Sequence, residues 1–175
     1  MSEDVSRRAS QIRLALFDVD GVMTDGTLFI SERGESFKPF NILDGLGLKL
    51  LKASGVSTGI LTGRSSASVE KRASELAIDH LIQGAENKLR AYADLREELG
   101  LEDAQVCYMG DDLPDLPVLR RCGLALSPPE AVMQVREQVH LVTRTSGGRG
   151  AVREACELIM QAQGTWESQI GAYLA

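Results

Sequence analysis

The sequence predicts a doubly wound, Rossmann-like α/β fold: a mainly parallel sheet with helices on both faces. Two observations carry that expectation. Short apolar runs alternate along the chain with segments of helical periodicity. The runs are also nearly continuous in apolar residues, the pattern of strands buried on both faces. No repeat, low-complexity segment or Pro/Ser-rich linker interrupts the alternation, so the 175 residues read as a single domain.

The elements follow in order. "IRLALF" (12–17) is a buried strand. The stretch "GTLFISERGESFKPFN" (26–41) breaks the alternation, with two extended halves about a Glu-Arg-Gly turn, and reads as a β-hairpin inserted after the first strand's loop. "GLGLKLLKAS" is a helix ended by Gly55, and "VSTGIL" (56–61) is the next strand. Val69, Ala73, Leu76 and Ala77 recur at helical spacing between 66 and 79. "HLIQG" is a short strand, and 87–99 is a helix with Leu89, Tyr92, Leu95 and Leu99 inward and Gly100 at its end. "QVCYMG" (105–110) is a strand, followed by a short helix that Pro114 and Pro117 confine to their C-terminal side. "GLALS" and "HLVT" are two further strands about a short helix near 130–137, and an amphipathic helix covers 150–163.

Composition limits the partners. A net charge of −6 supplies no basic face for nucleic acid or an anionic membrane. The polar start "MSEDVSRRASQ" has no apolar signal-type core, and no run approaches the ~18 residues that span a bilayer, so the chain is expected in the cytoplasm. The three cysteines, Cys107, Cys122 and Cys156, lack zinc-ligand spacing and read as reduced thiols.

The chemistry-bearing residues each sit just after a strand. Asp18 and Asp20 follow the first, Thr62, Gly63 and Arg64 the second, and Asp111, Asp112 and Asp115 follow "QVCYMG". Lys88 opens the helix after the third strand of the sheet. In an open α/β sheet, ligands bind outside the carboxyl ends of the strands, so the loops deliver acids, a hydroxyl and a cation to one rim. Each signal alone has a plain reading as a turn, a strand exit or a surface lysine. One metal-phosphate site accounts for all of them. A hard divalent cation takes carboxylate oxygens beside substrate phosphate, and its charge lets Asp18 and Asp111 stay ionised at close range. A carboxylate is a nucleophile able to attack phosphorus. Lys88 and Thr62 suit phosphoryl oxygens, Gly21 lets backbone N–H groups approach them, and a second acid two residues on can protonate the leaving oxygen.

"DVDGVMTDG", "ILTGR", Lys88 and "GDDLPD" resemble, in order, the four motifs of the haloacid dehalogenase superfamily, phosphatase branch. "FNILDGLGLKLL", "HLIQGAENK", "YMGDDLPDLPVL" and "TRTSGGRGAVREACELI" narrow the resemblance to the 3-deoxy-D-manno-octulosonate 8-phosphate phosphatases, from about residue 12 to about residue 163. The resemblance implies Asp18 as nucleophile and Asp20 as general acid/base. It implies Mg²⁺ on the Asp18 carboxylate, the Asp20 backbone carbonyl and Asp111, with phosphoryl binding by Thr62, Gly63 and Lys88. Asp112 and Asp115 would orient metal waters and Lys88, and Arg64 would contact substrate. A capless homotetramer is also implied, with hairpins at its centre and a neighbour's chain closing each site. Arg144 and Arg149 flank a glycine turn; a sugar-acid carboxylate needs a cation, for which Arg149 is the candidate and Arg144 stays open beside it. The alternatives are a phosphatase for a nine-carbon 2-keto-3-deoxy acid 9-phosphate and a receiver-type phospho-acceptor module, whose motif order differs. Tyr108, Met109, His80 and His140 read as structural. The tail 164–175 has no counterpart in the resemblance, and Trp166 is either a loose end or an intersubunit anchor.

Overall fold

The computed structural model describes residues 2–32 and 34–174, with Glu35 and Ser36 as backbone only. Arg33, in the middle of the expected hairpin turn, lies outside the described residues. The chain runs α1 (Glu3–Ala9), β1 (Leu14–Phe17), β2 (Phe29–Ser31), β3 (Gly34–Phe37), α2 (Ile42–Ala53), β4 (Ser57–Leu61), α3 (Ala67–Leu76) and β5 (His80–Ile82). It continues with α4 (Lys88–Glu98), β6 (Val106–Met109), α5 (Leu116–Leu119), β7 (Leu124–Ser127), α6 (Met133–Arg136), β8 (Leu141–Val142), α7 (Ala151–Ala162) and α8 (Trp166–Leu174).

Six strands form one sheet in the order β5-β4-β1-β6-β7-β8, every pair parallel. The expected doubly wound sheet is therefore present. β1 lies at its centre, with Leu14, Ala15, Leu16 and Phe17 at most 1% exposed. Their alternate side chains enter two separate apolar cores: Ala15 and Phe17 join one, Leu14 and Leu16 the other. A central strand needs apolar residues at every position for that reason. The chain leaves β1 toward β4 and β5, then crosses to β6, so strand order reverses at β1. Ligands bind at such a crevice.

The hairpin of β2 and β3 pairs Phe29 with Phe37, whose rings stack with centroids 4.4 Å apart. Leu28, Phe29, Ile30 and Phe37 of the hairpin segment are exposed, as are Ile42 and Leu43 at the start of α2.

α2 begins at Ile42, three residues before the expected "GLGLKLLKAS", because Asn41 caps it by accepting the Leu43 N–H at 2.8 Å. Ala77, expected inward, is the exposed left-handed cap of α3 instead. α1 and α8 lie in the stretches left without assignment. Trp166 is a partly buried packing residue, 5.6 Å under the Arg153 guanidinium. α7 has a glycine at its N-cap, which offers no side-chain acceptor. α2 supplies one in its place: the buried Asp44 carboxylate accepts the Arg153 N–H at 2.9 Å. Among the described residues, no helix is long and apolar enough to cross a membrane.

Candidate active site

The first loop separates the two aspartates. β1 ends at Phe17, and the next turn sets Asp20 in an extended conformation (φ −73°, ψ 120°) before Gly21 takes φ +88°. Only glycine fits there, since a Cβ would lie 2.0 Å from an Asp111 carboxylate oxygen as well as carrying the conformational cost. Asp18 is buried; its Oδ1 accepts the Val19 N–H at 2.7 Å and its Oδ2 lies 2.8 Å from Lys88 Nζ. Asp20 faces other partners. Its Oδ1 pairs with Lys38, and its Oδ2 lies 3.5 Å from Arg64 Nε.

The loop after β6 brings Asp111 to the same place. Asp115, almost fully buried, organises it. Asp115 Oδ1 accepts from Lys88 at 2.6 Å and from the Tyr108 hydroxyl at 2.5 Å, while Oδ2 accepts the Asp111 and Asp112 N–H groups at 3.0 and 3.1 Å. Asp112 caps the following turn by accepting the Leu113 N–H at 2.8 Å. The residues expected at this rim meet around one pocket of about 320 Å³: Asp18, Asp20, Thr62, Gly63, Arg64, Lys88, Asp111, Asp112 and Asp115 all line it.

Ligand atoms of Asp18, Asp111 and Asp115 lie within 4.8 Å of one another. The four hydrogen bonds to Asp115 occupy its acceptors, which leaves Asp18 and Asp111 as the carboxylates a cation would engage. Three carboxylates around one ammonium carry excess negative charge. Burial, then the charge of Asp115, raises the Asp18 carboxyl to about 6. Burial, then the charge of Asp18, raises that of Asp111 to about 7. This donor set fits a hard divalent cation, whose positive charge would offset both shifts.

A second cavity of about 340 Å³ shares Gly26 and Asp111 with the first, and Arg149, Glu130 and Thr27 line it. Its wall is the loop before α7, whose Gly147 and Gly148 lie against the Gly21–Thr24 backbone; a Cβ on Gly147 would sit 1.9 Å from Gly21 O. Arg149 therefore stands beside the aspartates. Arg144 turns away, with its Nε 3.6 Å from Glu154.

Two site residues escape the sequence reading. Tyr108, expected as strand packing alone, donates to Asp115 from full burial; a hydroxyl on a central strand next to an acidic loop is the signal. Lys38 is the other, and the alternation Phe37-Lys38-Pro39-Phe40 is what points it inward. His80 and His140 serve structure as expected: His80 Nε2 meets the Ser57 hydroxyl at 3.1 Å, and His140 Nδ1 accepts the Ala125 N–H at 2.9 Å.

Comparison with known proteins shows the family. The model of the family "Hydrolase: haloacid dehalogenase-like hydrolase" matches residues 35–123. The chain belongs to the haloacid dehalogenase-like hydrolases, in the branch whose named members are 3-deoxy-D-manno-octulosonate 8-phosphate phosphatases. One such member, KdsC of Yersinia pestis, is 44% identical over 171 residues, 98% of this chain and 91% of that protein. Two crystal structures superpose closely. A probable yrbi family phosphatase from Pseudomonas syringae pv. phaseolica 1448a is 53% identical, with a TM-score of 0.97 and 99% of each chain covered. The 3-deoxy-D-manno-octulosonate 8-phosphate phosphatase of Moraxella catarrhalis, solved with magnesium, phosphate and KDO, is 43% identical, with a TM-score of 0.95 and 99% of each chain covered.

Proposed function

We propose that this chain is a single-domain, Mg²⁺-dependent phosphatase that hydrolyses 3-deoxy-D-manno-octulosonate 8-phosphate to KDO and phosphate, in the cytoplasmic supply of KDO for lipopolysaccharide. The observation that carries the mechanism is that Asp18 and Asp20, two residues apart, hold separate cationic partners at one pocket. Asp18, Asp111 and the Asp20 backbone carbonyl would hold Mg²⁺, which when bound neutralises charge on the carboxylates and the phosphoryl oxygens.

Asp18 attacks phosphorus through a carboxylate oxygen. The bond from phosphorus to the sugar oxygen breaks, and Asp20 gives that oxygen its proton. Asp20 then takes a proton from water as the water attacks the aspartyl-phosphate, releasing phosphate and restoring Asp18. Lys88 and Thr62 bind the phosphoryl oxygens, Gly63 leaves room for them, and Asp115 orients Lys88. Arg149 takes the substrate carboxylate, with Arg64 contacting the sugar. The resemblance to the Moraxella phosphatase supports the choice of substrate.

A phosphate-release assay on the purified protein tests this. The panel holds the eight-carbon acid 8-phosphate, a nine-carbon 2-keto-3-deoxy acid 9-phosphate and simple hexose phosphates. The eight-carbon acid is expected to exceed the hexose phosphates in kcat/KM by at least ~100-fold, since a site that places a cation for a carboxylate discriminates against substrates that lack one. Preference for the nine-carbon acid reassigns the substrate; equal turnover of all overturns the specificity.

The exposed apolar hairpin supports assembly as a homotetramer with hairpins at its centre and each site closed by a neighbour. Free strand edges carrying such side chains are association surfaces. Changing Phe29 and Phe37 to glutamate is expected to give smaller species by light scattering, with raised KM and the Asp18 site untouched. A wild-type monomer with normal KM overturns the assembly.

A further inference from the structure

Lys38 directly follows β3, where the chain leaves the hairpin for α2. The extended backbone alternates: Phe37 and Pro39 face outward, Phe40 packs on the core, and the Lys38 side chain is only 3% exposed. Burying an ammonium is costly unless an anion meets it. Asp20 Oδ1 is an anion that meets it. The other oxygen, Asp20 Oδ2, is buried and takes no hydrogen bond, with Arg64 Nε 3.5 Å away. One oxygen is tethered to Lys38, and the other has the Arg64 guanidinium beside it without a hydrogen bond.

That asymmetry matters because of what lies next to it. Asp18, Asp111 and Asp115 already crowd one point, and a cation placed there attracts any carboxylate within reach. A free Asp20 side chain, two residues from Asp18, would swing in as a further ligand, and its oxygens would no longer carry a proton to the leaving group.

We propose that Lys38 is a positioning residue that holds the Asp20 carboxylate out of the cation's ligand set, with one oxygen kept for proton transfer. The proposal rests on Asp20 being the general acid/base. It also joins the hairpin to the chemistry, because the segment that carries the exposed apolar patch ends in the residue that sets the acid.

A double-mutant cycle on the Mg²⁺-loaded enzyme tests it, with Lys38→Met, Asp20→Asn and the double variant assayed on the eight-carbon acid 8-phosphate. Lys38→Met is expected to lower kcat at least ~10-fold with KM within about twofold, and Asp20→Asn to lower kcat ~100-fold or more. The double variant is expected to match Asp20→Asn alone within about twofold, because Lys38 has nothing left to position. Losses that multiply in the double variant overturn the role of Lys38 and leave the acid/base reading standing. A normal rate for Asp20→Asn alone overturns the acid/base reading, and the proposal with it. Lys38→Gln, which keeps a donor in the same slot, enters the cycle if Lys38→Met loses its cooperative melt, and the same non-additivity is expected.

Discussion

Asp18→Asn is expected to abolish phosphate release while the protein still melts at or above the wild-type temperature in metal-free buffer. An amide oxygen is too weak a nucleophile for phosphorus, so the loss falls on the chemical step and should exceed ~1000-fold in kcat. Stability should not follow activity. The Asp18 carboxyl is raised to about 6 by burial and by Asp115, so its charge costs folding free energy at neutral pH, and an uncharged isostere removes that cost. The Val19 N–H can still donate to the amide oxygen. Rapid quench with labelled substrate followed by peptide mapping checks the assignment. Label on Asp18 of the wild type is expected, and label on any other residue, or residual turnover in Asp18→Asn above a few per cent, contradicts it.

Removal of divalent cations is expected to have an effect of similar size. EDTA should eliminate turnover, Mg²⁺ should restore it, and Ca²⁺ should not, because its larger and more flexible shell favours bidentate carboxylates and so occupies the nucleophile. Full activity in chelated buffer contradicts the mechanism. The same cation should leave a pH signature in stability. Both carboxyls ionise near the ordinary 3.8 in the unfolded chain, but at about 6 for Asp18 and about 7 for Asp111 in the folded, cation-free protein. Between those limits the folded state binds more protons than the unfolded state, so the contribution of these groups to stability falls as pH rises through the window. Melting curves should therefore show Mg²⁺ raising Tm more at pH 8 than at pH 5. An equal Mg²⁺ shift at both values contradicts the shared ligand role.

Much of the architecture was legible because β1, β6 and β7 are apolar at nearly every position, the pattern of a sheet covered on both faces. The site was legible for a related reason: Asp18 and Thr62 directly follow strands, Asp111 follows one after a single glycine, and strand ends on one side of a parallel sheet converge. What stayed hidden depends on polar and packing contacts that apolar periodicity does not report. α2 starts early because Asn41 caps it, although Ile42 and Leu43 lie on the surface and break the apolar stripe. α8 buries no residue fully and is held by packing on α7, which no periodicity announces. Tyr108 and Lys38 were missed because a residue's parity on a strand shows which face it takes, not which polar group waits there. Asp115 supplies one from the loop that follows Tyr108's own strand, and Asp20 the other from the loop after β1.

The Asp44 cap on α7 joins residues 109 apart in the chain. A helix that borrows its cap from so early a segment cannot complete its first turn until both segments have been synthesised. The loop bearing Arg149 immediately precedes that turn, and it also leans on the Gly21–Thr24 backbone. On the ribosome, the early strands can pair while the last quarter of the chain is still inside the exit tunnel. The wall of the cavity beside the aspartates forms only after synthesis of the segment that carries it, so a product truncated before that segment would keep its aspartates and lack the wall.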